Sequence, residues 1–579
     1  MFNIRRRIIL QAQPFNSCQN RGMIRILKRL GGLMAWFAAA GTVAAQTNDN
    51  SWPPANAAAV ARWQGLRFGM FIHWGPVSLT GHEIGWSRGA ETPVEVYDNL
   101  YKQFNPTNFN ADEWVGIAKS AGMKYIVLTT KHHDGFCLWD TKQTDYNIMN
   151  TPFHRDVVKE LSTACKQQGI AFGAYYSVPD WYNTNWPMTS PGGSVRRATS
   201  DLDAYEKYLQ EQITELIKNY GPLITIWNDI PEPYGKRGAD TIKLIRQLQP
   251  DILINDRTGD GGDYDTPEQR IGKYQDNRPW ESCMTVSAHN QWAWGGANDG
   301  VKSTAVCLEM LIRAAGGNGN VLLNVGPRPD GLIDPEQANR LKEIGAWLSQ
   351  HGESIYGTRG GPWKPTASFV STRKGSQIFI HVMRSENGRL ELAALPAEIK
   401  SAMLLNGGKV DYSQDDGKLI LTIPLASLEP IDTIVELNLD RPAWDIPVLA
   451  RDSGIKAAAS NVYRNQDADY GPQCAFDEDE DTRWATDEGT KQAWIAADLG
   501  RVERIDGVSI QEAIAARVQK FEWQFRDGSE WKTIFTGTTL GPKFEKTFSP
   551  VTAREFRLNI LEATDGPTIS EIRLVEAKP

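Results

Sequence analysis

The segment Thr130–Asp140, TKHHDGFCLWD, places two histidines, two aspartates and two large aromatic residues in eleven positions. Adjacent imidazoles could ligate a metal, bind the hydroxyls of a sugar-like substrate, or pack as ordinary core. Adjacent residues of a strand point to opposite sides, so His132 and His133 lack the His-x-His spacing of a strand-borne metal site. Neutral imidazoles that bind hydroxyls, with aromatic neighbours for stacking, fit the segment better.

Polar residues also end other predicted strands. They are His73 after FGMFI, Tyr175 and Tyr176 in IAFGAYYSV, Trp227 and Asp229 in LITIWND, and Arg257 in DILINDR. Barrel enzymes build their sites from the carboxyl ends of several strands. A core role explains one such residue, whereas the whole set predicts one polar site at one end of a barrel.

The elements that would position these residues alternate between strand and helix from about residue 60 to 355. Short apolar runs such as YIVLTT and NVLLNVGP are separated by segments with three-to-four apolar spacing, such as HRDVVKELSTACKQQG. This alternation predicts a (β/α) barrel. A doubly wound open sheet is the alternative, but no G-x-G-x-x-G turn follows the first strand.

Length and composition limit the remaining possibilities. A chain of 579 residues predicts two to four domains. A net charge of −8 gives no reason to expect a nucleic-acid partner, because polyanion binding needs clustered Lys and Arg. No apolar stretch is long enough to span a membrane.

The amino terminus predicts export. Arg25, Lys28 and Arg29 precede the apolar stretch GGLMAWFAAAGTV, and a small-residue cleavage site ends at Ala45. Met23 is therefore the expected start, and the mature protein is expected to be periplasmic or secreted. Five cysteines follow the signal at irregular spacing, which argues against a disulfide framework.

Two all-β regions are predicted after the barrel. SFVSTRKGSQIFIHVM and LILTIPL alternate apolar and polar residues, as antiparallel strands do, and a second all-β region starts near residue 455. The predicted class is α/β, a (β/α)8-like TIM barrel followed by two β-sandwich domains. The expected boundaries are 1–45 for the upstream segment and signal, 50–357 for the barrel, 358–445 for the first sandwich and 446–579 for the second.

Several of these segments resemble one enzyme family. FGMFIHWG, GMKYIVLTTKHHDGF, FGAYYS, IWND and RPWESCMT occur in the order found in family 29 glycoside hydrolases, the retaining α-L-fucosidases. The resemblance covers about residues 55–440. It implies hydrolysis of terminal α-L-fucose from glycans through a covalent glycosyl-enzyme intermediate, with no cofactor for catalysis and a fucosylated glycan or oligosaccharide as partner.

Carried over to this sequence, the resemblance assigns Asp229 as nucleophile and Glu281 as acid/base, with Glu83 as the second candidate for the acid/base. The positions that match the fucose pocket are His73, Glu83, Trp86, His132, His133, Tyr176, Trp227 and Arg257. One departure is Ile230, since many relatives carry glycine directly after the nucleophile. α-L-Galactosidase action and non-catalytic glycan binding are the alternative functions.

The last region resembles discoidin-like domains, known as F5/8 type C, which include carbohydrate-binding modules of family 32. The motifs are AFDEDEDTRWATD, WIAADLG and ISEIRLVE. The family's structural calcium implies ligands at Asp477, Asp479, Thr482 and Glu571, and hard oxygen ligands of this kind suit Ca²⁺. Sugar binding by this module is left open by the sequence.

Overall fold

The structure is a computed structural model. It describes residues 54–189, 196–231, 234–259, 261–272, 274–385, 387–449, 455–477, 482–514 and 516–577. The predicted signal peptide and the start at Met23 lie outside this part of the chain. Within it, no helix combines the length and the apolar character that a membrane crossing needs.

The first part of the chain forms a curled sheet of seven strands that all run parallel. The order across the sheet is β5-β4-β3-β2-β1-β7-β6. The strands are β1 Phe68–Ile72, β2 Tyr125–Lys131, β3 Ala171–Ser177, β4 Thr225–Asp229, β5 Leu253–Ile254, β6 Glu281–Thr285 and β7 Asn320–Val325. This sheet confirms the predicted α/β barrel class.

Helices connect these strands and cover the outside of the sheet. They are α1 Ala57–Leu66, α2 Val94–Tyr97, α3 Ala111–Ser120, α4 Val157–Gln168, α5 Leu202–Tyr220, α6 Gly238–Leu248, α7 Thr304–Gly316 and α8 Pro335–His351. Their ends follow local chemistry. The Asp156 side chain accepts the Lys159 N–H at the start of α4, and Gly169 ends that helix at φ 73°, a conformation that glycine adopts without a steric penalty.

Alternate strand residues supply two separate cores. Phe71, Tyr125, Tyr175 and Trp227 belong to a cluster inside the curled sheet. Their neighbours along the strands pack outward against the helices, as Met70 does. The strand period of two therefore decides which side chains can reach the interior of the barrel.

The sheet does not close by regular pairing. Among the described residues, β5 and β6 are not hydrogen-bonded neighbours. The segment 261–272 lies between them and makes isolated bridges instead, including Asp265 with Trp280 and Glu268 with Cys283. An irregular segment thus fills the gap between the two edge strands.

Two antiparallel regions follow the barrel. The first pairs a five-stranded sheet with a three-stranded sheet around its own core. Its strands are β8 Arg359–Gly360, β9 Phe369–Lys374, β10 Gln377–Val382, β11 Arg389–Ala393, β12 Ile399–Leu404, β13 Asp411–Asp415, β14 Lys418–Thr422 and β15 Thr433–Leu439.

The second antiparallel region has a third core and one short helix, α9 Asp467–Tyr470. Its seven strands are β16 Lys456–Ala459, β17 Trp484–Ala485, β18 Ala493–Glu512, β19 Val518–Asp527, β20 Glu530–Gly537, β21 Phe544–Ala563 and β22 Thr568–Glu576. Both regions agree with the predicted all-β domains.

Candidate active site

A pocket opens at the carboxyl ends of the barrel strands. It encloses about 430 Å³, including the space at its mouth. Its walls are formed by Phe71, His73, Trp86, His132, His133, Tyr175, Trp227, Asp229, Ile230, Arg257, Glu268, Cys283 and Trp292. Six of the residues predicted from the sequence to bind substrate and the predicted nucleophile are therefore brought together: His73, Trp86, His132, His133, Trp227, Arg257 and Asp229.

Asp229 ends β4, and its carboxylate is held from both sides. Oδ1 accepts from Arg257 Nη1 at 2.8 Å and from the Ile230 N–H at 3.0 Å, while Oδ2 accepts from the Tyr175 hydroxyl at 2.9 Å. Burial by itself raises the pKa of this carboxyl, but the nearby Arg257 charge and these hydrogen bonds bring the pKa below its ordinary value. An ionised, oriented carboxylate is what a nucleophile in this position needs.

Glu268 lies beside Asp229, the predicted nucleophile, and is not among the site residues predicted from the sequence. Arg257 Nη1, which contacts Asp229, also donates to Glu268 Oε2 at 2.9 Å. One nitrogen therefore contacts both carboxylates. The two contacted oxygens, one of Asp229 and one of Glu268, can be no farther apart than the sum of the 2.8 and 2.9 Å distances. Glu268 is 43% exposed, which lets it exchange protons with solvent. It belongs to the irregular segment 261–272, where no periodic pattern signals its position.

Two pocket histidines have defined tautomers. His73 Nδ1 lies 2.6 Å from Asn324 Oδ1, and the Asn324 amide nitrogen donates to the Trp292 carbonyl, so Nδ1 must be the donor. His133 Nδ1 lies 2.6 Å from the Ser177 hydroxyl, which itself donates to the Pro179 carbonyl. In both neutral rings Nε2 is consequently an acceptor.

Burial keeps these imidazoles neutral. It lowers the pKa of His73 to about 3 and that of His133 to about 4, and it lowers the pKa of His132 well below the ordinary value. A cluster of neutral rings can accept hydrogen bonds from hydroxyl groups without adding positive charge to the pocket. His133 Nε2 stands 3.6 Å from Asp229 Oδ2, close enough for one substrate hydroxyl to contact both.

Aromatic side chains complete the walls. The Trp86 ring is 42% exposed and meets His133 edge to face, with ring centroids 5.6 Å apart. The Trp292 ring lies beside the His73 ring, with ring centroids 4.9 Å apart. These apolar faces beside hydrogen-bond acceptors suit a sugar, which presents C–H faces and hydroxyl edges.

Glu83 is not a wall residue of this pocket. Its carboxylate oxygens accept from the backbone N–H groups of Trp292, Ala293 and Ile84 at 2.8, 3.0 and 2.9 Å. The prediction that Glu83 contacts the substrate is therefore corrected, because Glu83 supports a loop of the pocket wall instead. Glu83 holds the loop that carries Trp292, and its oxygens are already occupied by main-chain donors.

Tyr176 also differs from its predicted role. It faces the helix layer, where its hydroxyl donates to Gln212 Oε1 at 2.7 Å, and its neighbour Tyr175 faces the pocket. The reason is the strand period of two: Tyr175 pairs with Trp227 across β3 and β4, and both side chains point inward. Tyr175 is the tyrosine of the site.

Glu281 is placed away from the pocket, which contradicts its predicted acid/base role. It begins β6 opposite Asn320, the first residue of β7, so it lies at the amino ends of the strands. Its side chain is fully buried inside the barrel and accepts from the Tyr125 hydroxyl and from Trp227 Nε1. A proton donor must reach the substrate, and a carboxyl beneath the floor of the pocket does not.

The residues implied as calcium ligands lie in the last region. The Thr482 hydroxyl is 3.0 and 2.8 Å from the two Asp477 carboxylate oxygens, and Glu571 on β22 is buried. Asp479 lies outside the described residues. Among the described residues, no group of three His, Cys, Asp or Glu side chains has the geometry of a metal site.

Comparison with known proteins identifies the family. The family model for alpha-L-fucosidase matches residues 35–353, and the F5/8 type C domain model matches residues 456–574. Tissue alpha-L-fucosidase of Macaca fascicularis is 30% identical over 437 residues, which are 68% of this chain and 90% of that protein. The human plasma alpha-L-fucosidase is 30% identical over 345 residues, 54% of this chain and 72% of that one.

Solved structures agree. Alpha-L-fucosidase isoenzyme 1 from Paenibacillus thiaminolyticus superimposes with a TM-score of 0.61 and 32% identity, covering 66% of this chain and 99% of its own. A Bacteroides thetaiotaomicron family 29 alpha-L-fucosidase, described as a trapped covalent intermediate with 2-fluoro-fucosyl fluoride, has the same TM-score, 25% identity and coverages of 67% and 97%. The chain belongs to the alpha-L-fucosidases of glycoside hydrolase family 29 and carries an F5/8 type C domain at its carboxyl end.

Proposed function

We propose that the protein is an exo-acting, retaining α-L-fucosidase that uses Asp229 as nucleophile and Glu268 as general acid/base. The observation that carries this assignment is the shared guanidinium: Arg257 Nη1 contacts one oxygen of each carboxylate at 2.8 and 2.9 Å. Retaining glycosidases place their two carboxyl groups about 5 Å apart, and a single bridging nitrogen supports a separation in that range.

In the first step, an Asp229 oxygen attacks the anomeric carbon of fucose. The bond from that carbon to the glycosidic oxygen breaks, and Glu268 gives its proton to the departing oxygen. The products are a fucosyl ester of Asp229 and the free aglycone. Arg257 contacts both carboxyl groups. Asp229 loses its negative charge in this step and Glu268 gains one, so the net charge beside Arg257 does not change.

In the second step, water attacks the same carbon from the side that the aglycone vacated. Glu268, now ionised, takes a proton from that water, and the ester bond to Asp229 breaks. Free fucose leaves with its anomeric configuration retained after two inversions. Asp229 and Glu268 return to their starting protonation states.

Recognition of the sugar is proposed to rest on the neutral histidines and the aromatic walls. Nε2 of His73 and of His133 can each accept a hydroxyl hydrogen, and Trp86 and Trp292 offer apolar faces. The small volume of the pocket favours one terminal sugar unit, which supports exo action.

The test is release of 4-nitrophenol from the α-L-fucoside, set beside the α-L-galactoside and fucosylated oligosaccharides. Asp229→Gly should lower turnover on every substrate by several orders of magnitude, because no group remains that can form the ester. Azide should then restore part of the turnover and give the β-fucosyl azide. Full activity in Asp229→Gly, or an absence of fucoside hydrolysis by the wild-type protein, would contradict the proposal.

For the last region we propose a structural Ca²⁺ held by Asp477, Asp479, Thr482 and Glu571. The donor set is made of hard oxygen atoms, and a buried carboxylate at Glu571 favours a cation nearby. A chelator should lower the melting temperature of this region, because a ligand that binds only the folded state stabilises it by mass action. Barrel activity should change little, and identical melting curves with and without chelator would contradict the proposal.

A further inference from the structure

Inside the barrel, Glu281 holds a pocket residue from below. Trp227 Nε1 donates to Glu281 Oε1 at 3.3 Å, and the Tyr125 hydroxyl donates to the other carboxylate oxygen. All three side chains are at most 1% exposed. The Trp227 ring itself forms part of the pocket wall, so a single hydrogen bond connects the barrel interior with the substrate site.

Trp227 in turn contacts both side chains that orient the nucleophile. Its ring stacks on Tyr175 with centroids 5.5 Å apart and an interplanar angle of 20°. The Arg257 guanidinium lies over the same ring, 4.8 Å from its centre. Tyr175 and Arg257 donate to the two different oxygens of Asp229.

These contacts form a continuous chain from the barrel interior to the nucleophile. The indole nitrogen is the only polar atom of the Trp227 side chain, and Glu281 is its acceptor. Without that acceptor, a buried N–H would be left unpaired, which is unfavourable because the group has lost its hydration and gained no partner. Rotation of the indole ring would then become favourable. Such a rotation would displace Tyr175 and Arg257, which pack on the ring.

We propose that Glu281 is a positioning residue for the reaction, which fixes the Trp227 indole and through it the Tyr175 and Arg257 donors to Asp229. This inference rests on the proposed role of Asp229 as nucleophile. Glu281 touches neither substrate nor reacting atoms in this role. Its effect is on the geometry of the nucleophile and therefore falls equally on substrates with good and poor leaving groups.

The experiment compares Glu281→Leu, Glu281→Gln and Tyr125→Phe. Leucine fills the site without an acceptor, and displacement of a catalytic group by about 1 Å costs on the order of 100-fold in rate. Glu281→Leu should therefore lower kcat about 100-fold on an aryl fucoside and on an oligosaccharide alike. Glu281→Gln keeps an oxygen for the Trp227 N–H and should retain kcat close to the wild-type value.

Tyr125→Phe is the matched control, because it removes the other donor to Glu281 at a site remote from the pocket. It should lower the melting temperature while leaving kcat near that of the wild type. If Glu281→Leu and Tyr125→Phe lost activity only because they are less stable, the loss of kcat in each variant would follow the fall in its melting temperature. If Glu281→Leu fails to fold, Trp227→Phe, which removes the indole N–H and also shortens the ring that packs on Tyr175 and Arg257, should lose at least as much kcat.

Azide separates this inference from an acid/base role. Azide should not accelerate Glu281→Leu, whereas loss of an acid/base would give α-fucosyl azide. A folded Glu281→Leu or Trp227→Phe with wild-type kcat would overturn the inference. So would a loss confined to poor leaving groups. Turnover by the wild-type protein, measured in parallel, tests the proposed function separately, since it does not depend on the variants.

Discussion

Tyr175 and Tyr176 are consecutive residues of one strand, and their hydroxyls lie on opposite sides of the sheet. Tyr175 donates to Asp229 Oδ2 at 2.9 Å inside the pocket, and Tyr176 donates to Gln212 Oε1 at 2.7 Å in the helix layer. Both side chains are almost completely buried. The pair therefore offers two matched deletions of a hydroxyl, one at the site and one away from it.

Tyr175→Phe should lower kcat roughly 10- to 100-fold, because a hydrogen bond to a charged group contributes about 1.5–3 kcal/mol. Tyr176→Phe should leave kcat near the wild-type value and lower the melting temperature, since Gln212 loses its donor. Steady-state kinetics on an aryl fucoside and thermal unfolding measure the two effects. Equal kinetic losses in both variants would argue against the assigned roles.

Glu268→Ala should discriminate between leaving groups. An aryl fucoside needs little protonation of its departing oxygen, so its first step should slow modestly, whereas an oligosaccharide should lose activity strongly. Azide should give the α-fucosyl azide, because it replaces water in the second displacement. Glu83→Ala is the comparison: it should slow both substrates by a similar factor through the loop that carries Trp292, and it should give no azide product.

Ile230 has φ 48°, in the left-handed region that β-branched residues rarely adopt. Glycine adopts this conformation freely, so Ile230→Gly should relieve about 1–2 kcal/mol of strain and offset the lost side-chain contacts. Ile224→Gly, at another half-buried isoleucine outside the left-handed region, should destabilise the protein much more. Urea unfolding of both variants measures the difference, and equal losses of stability would refute the strain at Ile230.

Stability should fall as the pH drops from about 6.5 towards about 4. The pKa of His133 is lowered to about 4 and that of His73 to about 3, mainly by burial. Between those values and the ordinary histidine pKa of about 6.5, the unfolded chain binds protons that the folded chain does not. Each such histidine should contribute a slope of roughly 1.4 kcal/mol per pH unit. His133→Asn should therefore show a shallower pH dependence in urea unfolding, and an unchanged slope would contradict the neutral His133.

The predicted signal peptide implies where the mature protein should begin. The predicted small-residue cleavage site ends at Ala45, so protein recovered from its native host should begin at or near Gln46. Amino-terminal sequencing or mass spectrometry of the periplasmic and secreted fractions measures this directly. An intact Met1 or Met23 terminus in a cytoplasmic fraction would contradict it.

Much of the fold could be predicted from the sequence because helices and buried strands differ in the spacing of their apolar residues. The residues that directly end strands, such as His73 and Asp229, could be placed for the same reason. The assignment of Tyr176 rests on the family resemblance, and the sequence alone does not fix whether Tyr175 or Tyr176 faces inward. The assignment of Glu281 also rests on the resemblance, which does not show that this residue begins a strand, and Glu268 lies in a segment without any repeating pattern.

The segment 261–272 has a consequence for how such an enzyme can change over time. It fills the gap between β5 and β6 through isolated bridges rather than a regular ladder, and it carries Glu268. Insertions or exchanges there would break isolated bridges and no regular strand ladder, whereas Asp229 is fixed in a paired strand. The proposed proton donor and the surface around it can therefore diverge between descendants of one ancestral gene while the proposed nucleophile and the floor of the pocket stay the same. New aglycone preferences would be accessible through changes in this short stretch alone.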